Sequence, residues 1–282
     1  MTVGSQSLIV RLLRHPSGLV GLLLIALAVG MALGAGFFFP AGPWTMAGPP
    51  RLWPGQNAAF LLGTDSLGRD LAAGLFHGSR VSLAVGASAA VVSILIGTVV
   101  GSLSGYYGGW LDDVLMRLTD AMQTIPSFLS AIAIVGIVGP SLPTIIFAIA
   151  IVSWPMIARL VRAEFLRLRT YDFVQSCRII GMSDMRIIFT QILPNCLAPI
   201  IVASSVLVAT AIIVEASLSF LGLGDPNAMS WGTILGNGRA ALRTAWYMTA
   251  IPATALVLTV LALNLVGDAL NDVLNPRLKE RS

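Results

Sequence analysis

Five windows of this chain hold no side chain that is ionised at neutral pH: Arg14 to Arg51, Arg80 to Asp112, Asp120 to Arg159, Arg186 to Glu215 and Arg243 to Asp268. A helix needs about 20 mostly apolar residues to cross a bilayer, and every window is at least that long. Soluble domains, with about a quarter of their residues charged, do not leave such gaps. Here only 11% of residues are charged and 56% are hydrophobic, so the chain reads as an integral membrane protein. The apolar runs are continuous instead of alternating, which excludes a β-barrel. Disorder, collagen and a disulfide scaffold are excluded too, since only Cys177 and Cys196 are present.

Four windows hold one span each. The window after Asp120 is long enough for two, and Gly139-Pro140-Ser141-Leu142-Pro143 near its middle is a turn signal. The reading is therefore all-α and polytopic, with six helices at about 18–40, 81–105, 114–138, 142–162, 197–220 and 247–270. The first apolar run, Leu19 to Phe39, is longer than a signal-peptide core of about 7–15 residues, and it reads as a retained membrane helix. Gly97, Gly101 and Gly105 form two small-xxx-small pairs. They either mark a close helix contact or reflect the general abundance of glycine in membrane helices. Pro126 and Pro155 are expected to bend their helices.

With the N-terminus inside, twelve basic residues flank the spans on the inner side (Arg11, Arg14, Arg117, Arg159, Arg162, Arg167, Arg169, Arg178, Arg186, Arg277, Lys279, Arg281) and five on the outer side (Arg51, Arg69, Arg80, Arg239, Arg243). That asymmetry puts both termini in the cytoplasm. It leaves a Pro- and Gly-rich outer loop over about 41–79, and a long basic inner segment over about 161–194. In the outer loop, Asp65, Arg69, Asp70 and Arg80 are available for ion pairs with a partner or with one another.

The inner segment is the most patterned part of the chain. Asp172 can cap a first short helix, and Gly181 is placed to end it in a left-handed conformation. Ser183 or Asp184 can start a second, which Pro194 would close. Met185, Ile188, Phe189 and Ile192 fall at helical spacing on one face. Two readings fit: an amphipathic helix resting on the membrane surface, or a docking element for a soluble partner.

This segment resembles the EAA loop of bacterial ABC-importer permeases, which runs Glu-Ala-Ala, then glycine after three residues, then a closing Ile-x-Leu-Pro or close variant. Gln175, Ser176 and Cys177 occupy the Glu-Ala-Ala positions, differing at all three yet staying polar-small-small. Gly181 is the glycine, and Ile192-Leu193-Pro194-Asn195 closes the motif. Further blocks are similar to the dipeptide, oligopeptide and nickel permeases: Leu62 to Asp70, Gly78 to Leu83, Glu215 to Gly224 with Ser230-Trp231-Gly232, and Gly267-Asp268 through Asn275-Pro276-Arg277.

The resemblance implies the fold of an ABC type I importer permease: six transmembrane helices with a cytoplasmic coupling helix. It divides the chain into a cytoplasmic N-terminus (1–17), a first membrane helix (18–40), a periplasmic loop (41–80), a five-helix core (81–272) that includes the EAA-type loop (163–195), and a cytoplasmic tail (273–282). The implied ATPase-coupling residues are Gln175, Ser176, Cys177, Gly181, Met182, Ser183, Asp184, Met185, Phe189, Ile192, Leu193 and Pro194. The implied partners are a second homologous permease, two cytoplasmic ATPase subunits, a periplasmic or lipid-anchored substrate-binding protein and membrane lipid, with no nucleic acid. The implied location is the bacterial inner membrane. The chain has no Gly-x-x-x-x-Gly-Lys-Ser/Thr loop, so it binds no cofactor of its own and is no enzyme; ATP and Mg belong to the ATPases. Peptides are the expected cargo, moved by alternating access, with nickel or a metal chelate as the alternative.

A secondary transporter would need acidic groups at mid-membrane, and only Glu215 is near such a place. Glu215 itself has two readings: a hydrated outer-interface residue paired with Arg239 or Arg243, or part of the substrate path or gate. Asp120 is expected to pair with Arg117 one turn back. His15 and His77 belong to no metal-ligand cluster, and the two cysteines read as thiols, not a disulfide.

Overall fold

The computed structural model describes residues 8–274. The tail block Asn275-Pro276-Arg277, Lys279 and Arg281 lie outside the described residues. The described chain is helical without a β-strand: α1 (Leu8–Arg14), α2 (Pro16–Phe38), α3 (Leu71–Tyr107), α4 (Gly109–Thr124), α5 (Ser127–Val138), α6 (Leu142–Leu168), α7 (Asp172–Ile179), α8 (Asp184–Ile187), α9 (Leu193–Leu218), α10 (Trp231–Gly238) and α11 (Tyr247–Leu274). Among the described residues five helical segments are long and apolar enough to cross a membrane, and there are six if the bent α4–α5 pair is counted as one span.

The expected spans are recovered, with three differences. First, α3 starts ten residues before the expected 81, inside the segment read as loop 41–80. The reason is local: the Asp70 carboxylate accepts a hydrogen bond from the Ala72 N–H at 2.9 Å and caps the helix. Second, the span expected at 114–138 is two helices bent by 81°. Ile125 is extended, as the residue before a proline prefers, and Pro126 removes a backbone donor. Third, Pro194 does not close a helix. It lies in the first turn of α9, and the helical run passes from Asp184 to Leu223. A π-helical turn over Ile188–Ile192, in which the Leu193 N–H bonds the Ile188 carbonyl, widens the helix just ahead of the proline.

The most extensive helix pairing is the α3–α6 seam. Gly97, Gly101 and Gly105 line one side of α3, and Ile157, Val161 and Phe165 line the facing ridge of α6, both at four-residue spacing. A Cβ on Gly97 would lie 2.6 Å from the Ile157 Cβ, and one on Gly105 equally close to that of Phe165. The glycines are therefore a packing device, which lets the backbones approach where lipid offers no hydrophobic drive. Gly21 plays the same part where α2 crosses α11. Pro155 lies inside α6, which continues through it to Leu168.

Charged groups pair across helices more than along them. Arg162 makes two 2.6 Å contacts to Asp112, tying α4 to α6. Asp120 pairs with Arg159 at 2.6 Å, not with Arg117, because α4 lies against α6. His15 contacts Asp272 at 3.3 Å, and His77 the Phe39 carbonyl at 3.0 Å. Cys177 and Cys196 are both free thiols.

Candidate functional site

Two ends of the bundle carry unusual chemistry. At one, α7 and α8 fold back on the ends of α3 and α6. Asp172 does not cap α7; it is the first helical residue, after Tyr171. The helix ends in a Schellman motif: the Gly181 N–H reaches the Arg178 carbonyl and the Met182 N–H the Cys177 carbonyl, each at 3.0 Å. This geometry needs the left-handed backbone that Gly181 adopts (φ 79°). Gln175 donates to the Arg169 carbonyl at 3.0 Å, tying α7 to the end of α6.

The apolar face expected from Met185, Ile188, Phe189 and Ile192 divides in two. Ile188 and Ile192, with Ile187 and Val174, are buried against Phe165, Val161 and Tyr106. Met185 and Phe189 face outward, 54% and 61% exposed, and are joined by Ile179 (85%) and Ile180 (75%) around the glycine turn. The loop is therefore bolted down on one side and presents large apolar groups on the other, the arrangement of an interaction site. Two contacts that sequence reasoning missed add to the bolt. The Tyr106 hydroxyl donates to Asp184 at 2.6 Å, and the Arg178 guanidinium lies 5.1 Å from the Tyr106 ring centroid. Nothing in the spacing of Tyr106 pointed there.

At the opposite end, Glu215 is 1% exposed. It neither sits at a hydrated interface nor pairs with Arg239 or Arg243, which are exposed. Instead its carboxyl collects hydroxyls. Ser219 donates at 2.7 Å, Ser82 at 3.2 Å, and Ser230 is a third partner. Ser82 also accepts the Trp231 N–H at 3.2 Å, so the carboxyl, α3 and the start of α10 form one network. The Trp231 indole donates to the Leu75 carbonyl at 3.0 Å. Gly232 lets α10 press onto α9: a Cβ there would meet the Ala216 Cα at 2.5 Å. Ser219, one turn after Glu215, was legible in the sequence; Ser82 was not.

The loop over Phe39 to Asp70 closes this end. Thr64 organises it, donating to the Pro49 carbonyl at 2.6 Å and accepting from the Leu52 N–H at 2.9 Å, while its own carbonyl takes the Tyr247 hydroxyl at 3.0 Å. Among the described residues Asp65, Arg69, Asp70 and Arg80 form no ion pair with one another. Asp65 accepts from the Leu67 and Arg69 N–H groups, Arg69 packs on Trp44, and Arg80, inside α3, reaches the Ala32 and Leu33 carbonyls of α2. Asp70, half buried at its cap, has its carboxyl pushed above the ordinary range by desolvation, against which the Ala72 and Ala73 N–H groups pull.

The family model described as binding-protein-dependent transport system inner membrane component matches residues 97–280, a stretch that holds both the α7–α8 loop and Glu215. The chain belongs to that family. This permease is 42% identical over 272 residues to a di/tripeptide transport system permease of Pseudomonas aeruginosa, covering 94% of this chain and 90% of the relative. It is 40% identical to a glutathione transport system permease of Pectobacterium atrosepticum (95% and 90% covered) and 39% identical to a dipeptide transport system permease of Haemophilus influenzae (95% and 92%). Its fold is that of the permease in inward-facing structures of the MetNI methionine ABC transporter, with a TM-score of 0.59 at 21% identity, over 71% of this chain and 96% of that one. The permease is thus an all-α, multi-pass, type I importer subunit and a transport component, not an enzyme.

Proposed function

We propose that this permease moves di- or oligopeptides inward across the bacterial inner membrane, as one of two membrane subunits driven by ATPases bound at the α7–α8 loop. The observation that carries the coupling half of this reading is the two-sided loop. Ile187, Ile188 and Ile192 anchor it to α3 and α6, while Ile179, Ile180, Met185 and Phe189 are largely exposed. The cargo follows from the relatives, which are named for di- and tripeptides, dipeptides and glutathione; none of these three favours nickel or a metal chelate.

In this reading the loop faces the cytoplasm with both termini, as the excess of basic flanking residues requires. Gln175, Ser176 and Cys177 set the pitch of α7, and Gly181 sets the turn. Met182, Ser183, Asp184, Met185 and Phe189 meet the ATPase, and Ile192, Leu193 and Pro194 join the loop to α9. Closure of the ATPase pair on ATP and Mg pulls the loop, and α6 and α9 tilt with it. Glu215 belongs to the gate: it does not touch cargo but clasps α10 to α3 and α9 at the periplasmic end. A periplasmic or lipid-anchored binding protein delivers the peptide over the loop at 39–70.

Uptake by the complete importer in proteoliposomes tests the reading. ATP-dependent accumulation of radiolabelled Ala-Phe is expected. Accumulation of Ni²⁺ without the dipeptide would replace peptide by metal as cargo, and uptake independent of the ATPases would remove the coupling assignment.

A further inference from the structure

Beside the Glu215 clasp, between the organised outer loop and the segment that follows α9, lies a cavity of about 520 Å³. That is the size of a small-molecule site. Four charges line it, Asp65, Arg69, Asp225 and Arg239, and among the described residues none of them forms an ion pair with another. Opposite charges around one cavity that do not neutralise each other form a template for a ligand carrying both.

The state of each group sharpens this. Asp225 is occupied structurally, accepting from the Leu142 and Asn227 N–H groups. Asp65 spends Oδ1 on two backbone N–H groups, and among the described residues no hydrogen bond engages its Oδ2. Arg69 is held with its Cζ 4.8 Å from the Trp44 ring centroid, yet its Nε is buried without a hydrogen-bond partner. Arg69 also lines the cavity, and a carboxylate takes two parallel N–H groups from one guanidinium. Arg239, exposed on the rim, adds a second cation.

We infer that this cavity is a transit subsite for a zwitterionic peptide, with Arg69 and Arg239 binding its free α-carboxylate and Asp65 facing its ammonium. The inference rests on the peptide-import reading above and adds that the permease itself, not only the delivering protein, recognises peptide termini. Ser219 lines the cavity and also donates to Glu215, so the subsite shares a wall with the gate.

The test uses the complete importer in proteoliposomes, with radiolabelled Ala-Phe as probe and two readouts: uptake across peptide concentrations, and affinity of the complex for empty binding protein. Arg239→Gln, at an exposed position, and Arg69→Gln are each expected to cut uptake at subsaturating peptide about tenfold, the loss of one charge-assisted hydrogen bond. Affinity for empty binding protein stays unchanged, and Arg239→Lys recovers part of the loss. An Arg239→Gln uptake curve that overlays the wild type overturns the subsite even if Arg69→Gln fails to fold. An equal loss of affinity for empty binding protein also overturns it and makes the two arginines a protein-docking pair. Wild-type importer that moves no peptide at all sinks the underlying function as well, and that result is visible before any variant is made.

Discussion

At the Glu215 end, a buried carboxyl gathers serine hydroxyls from three elements, and a glycine lets α10 press onto α9. At the Gly181 end, an equally well-formed turn leaves four large apolar side chains in the open. Both ends are built on α3, the first with α9 and the second with α6, and both depend on glycine for close or left-handed backbone. They differ in what is left over. The first leaves no group of its network without a partner and works by holding itself together; the second keeps its bonds on one side and its unspent surface on the other. Damage at the first should therefore cost stability and transport together, and damage at the second should cost transport far more than stability.

The largest effect should come from Glu215→Ala. It strips the acceptor from buried serines, and breaking such a network costs about 3 kcal/mol; thermal unfolding of the detergent-solubilised permease should show a clear drop in Tm, with uptake lost in parallel. A Tm at the wild-type value would show that the clasp does not hold the end closed. Next comes the seam joining the two ends. Gly97→Leu drives a side chain into Ile157 and should cost about 1–3 kcal/mol by the same assay.

Gly181→Ala sharpens the contrast. A Cβ there meets nothing within 4 Å, so the penalty is backbone strain alone, about 1 kcal/mol. Gly181→Asp carries the same strain and should abolish substrate-stimulated ATPase activity while membrane insertion remains normal. Normal stimulation in that variant would remove the docking role of the turn. Phe189→Asp should be the mildest for the fold, within about 0.5 kcal/mol of wild type, because the side chain is 61% exposed. Its ATPase activity should nevertheless cease to respond to loaded binding protein. A Phe189→Asp importer that transports normally would turn the open apolar face into mere membrane-surface decoration.

Much of the fold was legible because bilayer thickness is a blunt rule: long neutral windows become helices wherever their charges stop. The broken span shows where that rule fails. Asp112, Asp113, Arg117 and Asp120 all fall within α4, which argued for an amphipathic helix before Pro126, but a window counted from Ala121 hides them. The glycine turn could be read because its constraint is local. The division of Met185 and Phe189 from Ile187, Ile188 and Ile192 could not, since it depends on where α6 presents Val161 and Phe165. The partners of Glu215 illustrate the same boundary. Ser219 is one helical turn away, whereas Ser82 lies 133 residues distant and meets it only once α3 packs on α9.

The helical run from Asp184 to Leu223 carries a mechanical corollary. At about 1.5 Å per residue, some 45 Å of helix separates the Gly181 turn from Glu215, with the π-helical turn over Ile188–Ile192 near its start and Pro199 inside it. On the coupling proposed above, force applied at the turn would arrive at Glu215 as torque through this one crankshaft, so that the motor's stroke and the unlatching would be two readings of a single rotation.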